Sequence, residues 1–315
     1  MKPSQVDAYL KQWDADGFNQ RQIRRVYGKS TGALKLYARP RSADAVRSRL
    51  QGIVRRSPQA MVRISGGGRG MGRIRAHLAY ISRHGRLEIE DQDGERYHGK
   101  EDLAWLGYAW QCGGMPIAED SWRREALNIV LSMPAGTDSQ SLRRAVRAFA
   151  QDEFSGHQYA MALHSYDSDP GKDPSPHPHV HLCVKMAGAD GRRLNPRKQD
   201  FRRWRERFAE RLREHGIDAA ATSRLERFQP RRGRKQSVRH MLERGAALRQ
   251  VVDQGERQQR RERAQRREQE MLLRYGKVAE VLALSDEPSD RSLAVGIAGL
   301  AERWRDRDVV RAPER

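Results

Sequence analysis

The run HPHVHLCVKM, residues 177–186, limits what this chain can fold into more than any other segment. Polar and apolar residues alternate along it, and in a strand successive side chains point to opposite faces. His177, His179 and His181 therefore share one face, while Val180, Leu182 and Val184 take the other and face a core. Imidazoles lined up on a rigid element are what a divalent metal requires. A histidine-rich surface strand without a ligand and a structural zinc site are the competing readings.

Charge narrows the partner. Lys and Arg number 61 against 41 Asp and Glu, for a formal net charge of +20. A chain this basic attracts a polyanion, and nucleic acid is the commonest. Arg greatly outnumbers Lys, and Arg is the better bidentate phosphate ligand. A membrane surface is the alternative. No run of apolar residues is long enough to span a bilayer, and MKPSQVDAYLKQWD lacks the apolar centre of a signal peptide. Cys112 and Cys183 are too few for a disulfide framework, so a reducing cytoplasm is expected.

Three regions are expected: a helical N-terminal extension over 1–57, a mixed α+β domain over 58–227, and a basic helical region over 228–315. In the first, Ser4 is expected to cap a helix carrying Val6, Tyr9, Leu10 and Trp13, and Ser42 to cap a second. In the middle region AMVRIS, ALNIVLSMP, QYAMALHSY and HVHLCVKM carry strand patterns. MGRIRAHLAYISRHG, EDLAWLGYAW, SLRRAVRAFAQDEF and FRRWRERFAERLREHG carry helical ones. The order of these elements suggests one antiparallel sheet with helices on one face. The last region, with PRRGRKQ and RQQRRERAQRREQEMLLRY, is expected to form charged helices held by i,i+4 pairs or by DNA. Arg231 and Arg232 are its candidate phosphate contacts.

In RISGGGRGMGRIRAHLAYISRHG a strand ends in Gly66, Gly67 and Gly68 and a helix begins near Gly72. A flexible turn is the favoured reading of the glycines, and close approach to a phosphate at a helix N-terminus the rival. Within the helix Ile74, Leu78 and Ile81 form the core stripe, and His77, Tyr80 and His84 fall on one flank with Arg73 beside them. Taken alone, Tyr80 would be an ordinary boundary tyrosine.

Four stretches taken in order, MVRISGGGRGMGRIRAHLAYISRHGRLEIE, LNIVLSMPAGTDSQSLRRAVRAFAQDEF, HPHVHLCVK and LNPRKQDFRRWRERFAERLREHGIDAAATSRLER, resemble conjugative relaxases and mobilisation nucleases of the HUH superfamily, of the T-DNA border endonuclease type. The resemblance implies an open antiparallel sheet whose central strands hold a histidine-bound divalent metal, Mg or Mn, faced by a tyrosine that attacks DNA. It puts Tyr80 in the nucleophile's place, His179 and His181 in that of the paired ligands, and His164 in that of the third ligand, with His177 as second choice. An acid that orients the first histidine falls two residues after it in the family. Here Asp167 comes one step later and takes that role, with Asp169 as its rival, in a longer connecting loop, DSDPGKDPSP. Where the family commonly has Asn, this chain has Lys185, a candidate contact to the DNA backbone along with Arg69, Arg73 and His77.

These parts imply a chemistry. A phenol, with an unperturbed pKa of about 10, is a poor nucleophile at neutral pH. A divalent ion at the scissile phosphate withdraws charge and stabilises the transition state. Attack then forms a 5′-phosphotyrosyl bond and frees a 3′ hydroxyl. By ligand softness three imidazoles favour Zn or Mn over Mg. The resemblance thus implies a relaxase acting on single-stranded DNA at an origin of transfer. Its expected partners are relaxosome accessory proteins and a type IV secretion coupling protein, and the Arg-rich end ERWRDRDVVRAPER is a candidate export signal. A rolling-circle replication initiator is disfavoured because Tyr80 precedes the histidine pair, and a catalytically inactive DNA-binding accessory protein because tyrosine and histidines are all present.

Overall fold

Each apolar run read from the sequence is a strand in the computed structural model, which describes residues 1–16, 42–171, 173–229, 241, 243–245 and 254–309. These fall into two compact units, one of Ser57–Ala221 and one combining Met1–Arg56 with Thr222–Arg315. Numbered along the chain, α1 (Pro3–Asp14) and α2 (Ala43–Val54) open the second of these.

The first unit holds β1 (Met61–Gly66), α3 (Met71–Ile81), β2 (Ile89–Asp91), β3 (Arg96–Tyr97), α4 (Gly99–Cys112) and β4 (Ala126–Ser132). It continues with α5 (Ser139–Glu153), β5 (Tyr159–His164), β6 (His179–Lys185) and α6 (Lys198–Glu214). The strands make one six-stranded sheet in the order β1-β4-β6-β5-β2-β3, antiparallel throughout. β6 thus lies at the centre, between β4 and β5.

Side-chain alternation divides this sheet into two different surfaces. Leu127, Ile129 and Leu131 on β4, Met161 on β5, and Val180, Leu182 and Val184 on β6 form one, buried beneath Phe149 of α5 and Trp204 and Phe208 of α6. The opposite surface carries the small residues Ala126, Ala160, Ala162 and Cys183, over which α3 and α4 close with Ile74, Leu78, Leu106 and Trp110. Helices therefore cover both faces, not one. Small uncharged side chains on the second face let a helix approach closely, and that surface must be covered as well. Asp138 caps α5 by accepting from the Ser141 amide at 2.7 Å. On β2, Glu90 is buried and accepts from Arg143 of α5 at 2.8 Å and from Arg147.

In the second unit α7 (Gln254–Ala283) and α8 (Pro288–Val309) supply thin apolar stripes. Met271, Tyr275, Val278, Leu293, Ile297 and Leu300 pack with Val6, Leu10, Val46 and Leu50. The N-terminal helices and the charged C-terminal helices, separate in the sequence, share this core because neither stripe alone can bury its apolar face. Ser42 caps α2 through the Ala45 amide at 3.2 Å. Ser4 does not cap α1, since Lys2 occupies that position and Pro3 begins the helix.

A candidate metal centre beside an exposed tyrosine

Antiparallel pairing of β5 with β6 puts His164 directly opposite His179, and His181 opposite Ala162. The alternation that buries Val180 and Leu182 turns all three imidazoles to the α3 side of the sheet. Their ring centroids lie 5.1 Å (His164 to His179), 4.7 Å (His164 to His181) and 5.1 Å (His179 to His181) apart. One ligand atom from each lies within 4.8 Å of the other two. His177 stays outside this trio: it is exposed, and its Nδ1 accepts from the Ala135 amide at 3.0 Å. Its carbonyl lies 3.0 Å from Nδ1 of His179, which orients that ring and leaves its Nε2 free to ligate.

α3 brings the tyrosine. Tyr80 is 54% exposed, and its ring stands edge-on to His181 with centroids 6.0 Å apart. His77, one turn earlier, is half-buried and lies 6.2 Å from Tyr80 and 6.4 Å from His181. The helix stops at Ile81, and Arg83, His84 and Gly85 follow with φ of 52°, 60° and 85°. Two non-glycine residues in the left-handed region cost about 1–2 kcal/mol each. This turn carries His84 off the helix flank where the sequence pattern put it and leaves it exposed. It also lays Arg83 across Tyr80, its Cζ 5.6 Å from the ring centroid.

Arg83 was not legible as a site residue, yet it links the tyrosine to the histidines. Its Nε and Nη2 donate to the two oxygens of Asp169 at 2.8 and 2.7 Å. Oδ2 of Asp169 lies 3.0 Å from Nδ1 of His164. The carboxylate that orients His164 is therefore Asp169 and not Asp167. Asp167 is exposed on the turn that follows β5, whereas the bond from the Asp169 amide to the Ser165 carbonyl (2.9 Å) folds Asp169 inward. Both nitrogens of His164 therefore face acceptors, and to ligate a metal Nε2 would have to give up its 2.7 Å contact with the Ile81 carbonyl.

The electrostatics suit neutral imidazole ligands. Burial, then the neighbouring His164, His179 and His77, push His181 down to about 3, so it is neutral at pH 7 with a lone pair on one ring nitrogen. Its Nδ1 is buried without a hydrogen-bond partner among the described residues, as is Nε2 of His77. Burial lowers His164 too, against the opposing pull of the Ile81 carbonyl and Asp169. Arg83 holds the Asp169 carboxyl well below the usual carboxylate range. Three convergent imidazoles, one with an orphaned buried nitrogen and one oriented by a carboxylate, fit a divalent cation.

Other expected contacts fall differently. Arg69 and Arg73 are exposed beside the start of α3. Lys185 shares the histidine face of β6 but lies at its far end beneath α4, 1% exposed. Its Nζ donates to the carbonyls of Trp110 (2.9 Å) and Gly113 (2.6 Å) and to Gln158 (2.8 Å), which excludes it as a DNA contact. The glycine run packs closely against residues 118–126. The amides of Gly68, Met71 and Gly72 already donate to the carbonyls of Ala126, Ala118 and Glu119. A Cβ on Gly67 or Gly70 would overlap that same chain segment. Arg231 and Arg232 lie outside the described residues.

The site is a group of three imidazoles beside an exposed tyrosine on an antiparallel α+β domain. Residues 117–217 match the family model described as relaxase, MobA/VirD2-like, nuclease domain. About a third of the chain is thus similar to relaxase nuclease domains of the MobA/VirD2-like kind. The matched segment includes His164, His179 and His181, whereas Tyr80 precedes it. The T-DNA border endonuclease VirD2 of Rhizobium radiobacter is 30% identical over 185 residues, 54% of this chain. The chain spans 43% of that relative's length. A solved structure from work on the molecular basis of vancomycin resistance transfer in Staphylococcus aureus aligns over 53% of this chain and 98% of its own, at 14% identity and a TM-score of 0.32.

Proposed function

We propose that this chain is a relaxase that nicks one strand of DNA at an origin of transfer and remains joined to it through Tyr80. The observation that carries the reading is the placement of an exposed tyrosine ring 6.0 Å from His181, within a group of three convergent imidazoles. His164, His179 and His181 would hold a divalent ion, which when bound draws charge from the scissile phosphate. The Tyr80 oxygen forms a new bond to phosphorus as the bond from phosphorus to the 3′ oxygen breaks. The phenol proton is lost, the 3′ oxygen takes one up, and the 5′ phosphate becomes a tyrosyl ester. Because the ester link is conserved, the reverse attack by the 3′ hydroxyl reseals the strand.

Arg83 puts a guanidinium beside the phenol as negative charge develops on it, and Asp169 fixes both that guanidinium and the His164 ring. The HUH character assigned from the resemblance rests on the same histidine pair. Mg and Mn are the proposed ions, the imidazole set favouring Mn of the two. The substrate is an unpaired strand, held outside the centre by phosphate contacts from exposed arginines such as Arg69 and Arg73. Relaxosome accessory proteins and a secretion coupling protein are the partners such an activity requires, and the cytoplasm is its expected location. Among the described residues no helix is long and apolar enough to cross a membrane. The test is incubation with labelled single-stranded origin DNA and Mn. A covalent adduct that disappears in Tyr80→Phe and in His179→Ala supports the proposal, and an adduct of normal yield in Tyr80→Phe overturns it.

A further inference from the structure

The helical unit contains a cavity of about 350 Å³ that the nicking chemistry does not use. Arg56, Arg224, Arg227 and Arg303 line it, and none of its lining residues is acidic. Arg56 and Arg303 are exposed and make no ion pair among the described residues. The remaining lining is largely apolar and includes the rings of Phe228 and Trp304, whose centroids lie 6.1 Å apart. Trp304 is 7% exposed, and its indole Nε1 is buried without a hydrogen-bond partner among the described residues. Arg56 and Phe228 hold left-handed backbones, with φ of 56° and 50°. Such strain in side-chain-bearing residues tends to gather where ligands are gripped.

We infer that this cavity binds one nucleotide of single-stranded DNA, with its phosphate on Arg56 and Arg303 and its base against Trp304 and Phe228. A bare anion would have no use for the aromatic wall, and an apolar ligand none for the arginines. A nucleotide uses both, because every base has a π-face and every phosphate a charge that Arg reads in bidentate fashion. The volume suits one base with its sugar and phosphate, at the small end of ligand pockets. The orphaned indole N–H of Trp304 would gain an acceptor. The inference depends on the relaxase reading for its choice of ligand.

The test uses the whole chain and a fluorescein-labelled dT12 oligonucleotide, with anisotropy read across a salt series. In Arg56→Ala/Arg303→Ala the affinity should fall about tenfold near 0.1 M salt, and the slope of log affinity on log salt should flatten by roughly 0.7 to 1.4, as for one or two lost phosphate contacts. In the unaltered chain, an oligonucleotide carrying 5-iodo-deoxyuridine should crosslink under long-wavelength light to Trp304 or Phe228. An unchanged affinity and slope, or crosslinks confined to other residues, would overturn the inference. So would an equal loss for duplex DNA, competition by millimolar inorganic phosphate as effective as by the oligonucleotide, or an equal loss of binding to anionic phospholipid vesicles. Binding through this cavity by a chain that forms no Tyr80 adduct would overturn the nicking proposal and leave this one standing.

Discussion

Replacing Asp169 by Asn tests the network that ties the tyrosine to the histidines. The carboxylate is 2% exposed, accepts from Arg83 at 2.8 and 2.7 Å, and lies 3.0 Å from His164. A hydrogen bond to a charged group contributes about 1.5–3 kcal/mol, and removing one partner of a buried pair costs about 3–5 kcal/mol. The Arg83 side chain is 25% exposed, so water recovers part of that loss. A destabilisation of about 2–3 kcal/mol is therefore expected, lowering the melting temperature of the Ser57–Ala221 unit by roughly 4–12 °C. Carboxylates that orient a metal-binding histidine are worth about 10- to 100-fold in metal affinity or activity. Nicking titrated with Mn should accordingly shift to higher metal concentration by that factor. Asp167→Asn, at an exposed position, should change stability by no more than about 0.5 kcal/mol and leave the titration unmoved. If Asp167→Asn shifts the Mn titration and Asp169→Asn does not, the orienting role has been given to the wrong carboxylate.

Three further outcomes follow from the packing. Lys185→Met leaves the carbonyls of Trp110 and Gly113 buried without their donor and should cost about 2–3 kcal/mol in urea unfolding, with DNA affinity in a gel shift unchanged. Gly70→Ala forces a Cβ onto a backbone with φ of 86° and against the Glu119 carbonyl, and should cost more than about 1 kcal/mol and weaken nicking by loosening α3. Burial raises the pKa of Glu90, but Arg147 and Arg143 more than offset it and hold the group below its ordinary 4.5. A depressed folded pKa gives stability that is complete above the unfolded value and lost as pH falls through the folded one. Unfolding free energy should thus decline as pH drops below about 4.5, and Glu90→Gln should remove part of that decline.

Much of this site could be read from local pattern, and the remainder depended on chain paths that no pattern encodes. Strict alternation in HPHVHLCVKM set the faces of β6, and with them the shared direction of His179 and His181. The stripe of Ile74, Leu78 and Ile81 likewise put Tyr80 at the edge of its helix. Arg83, and the choice of Asp169 over Asp167, escaped because the meeting of Arg83 with Asp169 depends on a turn after β5 and on two left-handed residues after Ile81, neither of which leaves a periodic trace. Lys185 stands on the histidine face by the same alternation, but only the packing of α4 reveals that this end of the strand is covered, so its reading as a DNA contact failed. The glycines marked a turn, whereas the chain segment they pack against, 118–126, is distant in sequence.

The central claim is that one phenol and three imidazoles act on one phosphodiester, and the most direct measurement is to locate the covalent bond. Protease digestion of the adduct formed on single-stranded origin DNA, followed by mass spectrometry, should find the nucleotide on the peptide containing Tyr80 and nowhere else. Attachment at Tyr97, whose hydroxyl donates to Asp91 at 3.0 Å and is pushed up to about 12, would contradict the account. Attachment at the exposed Tyr108 of α4 would contradict it equally.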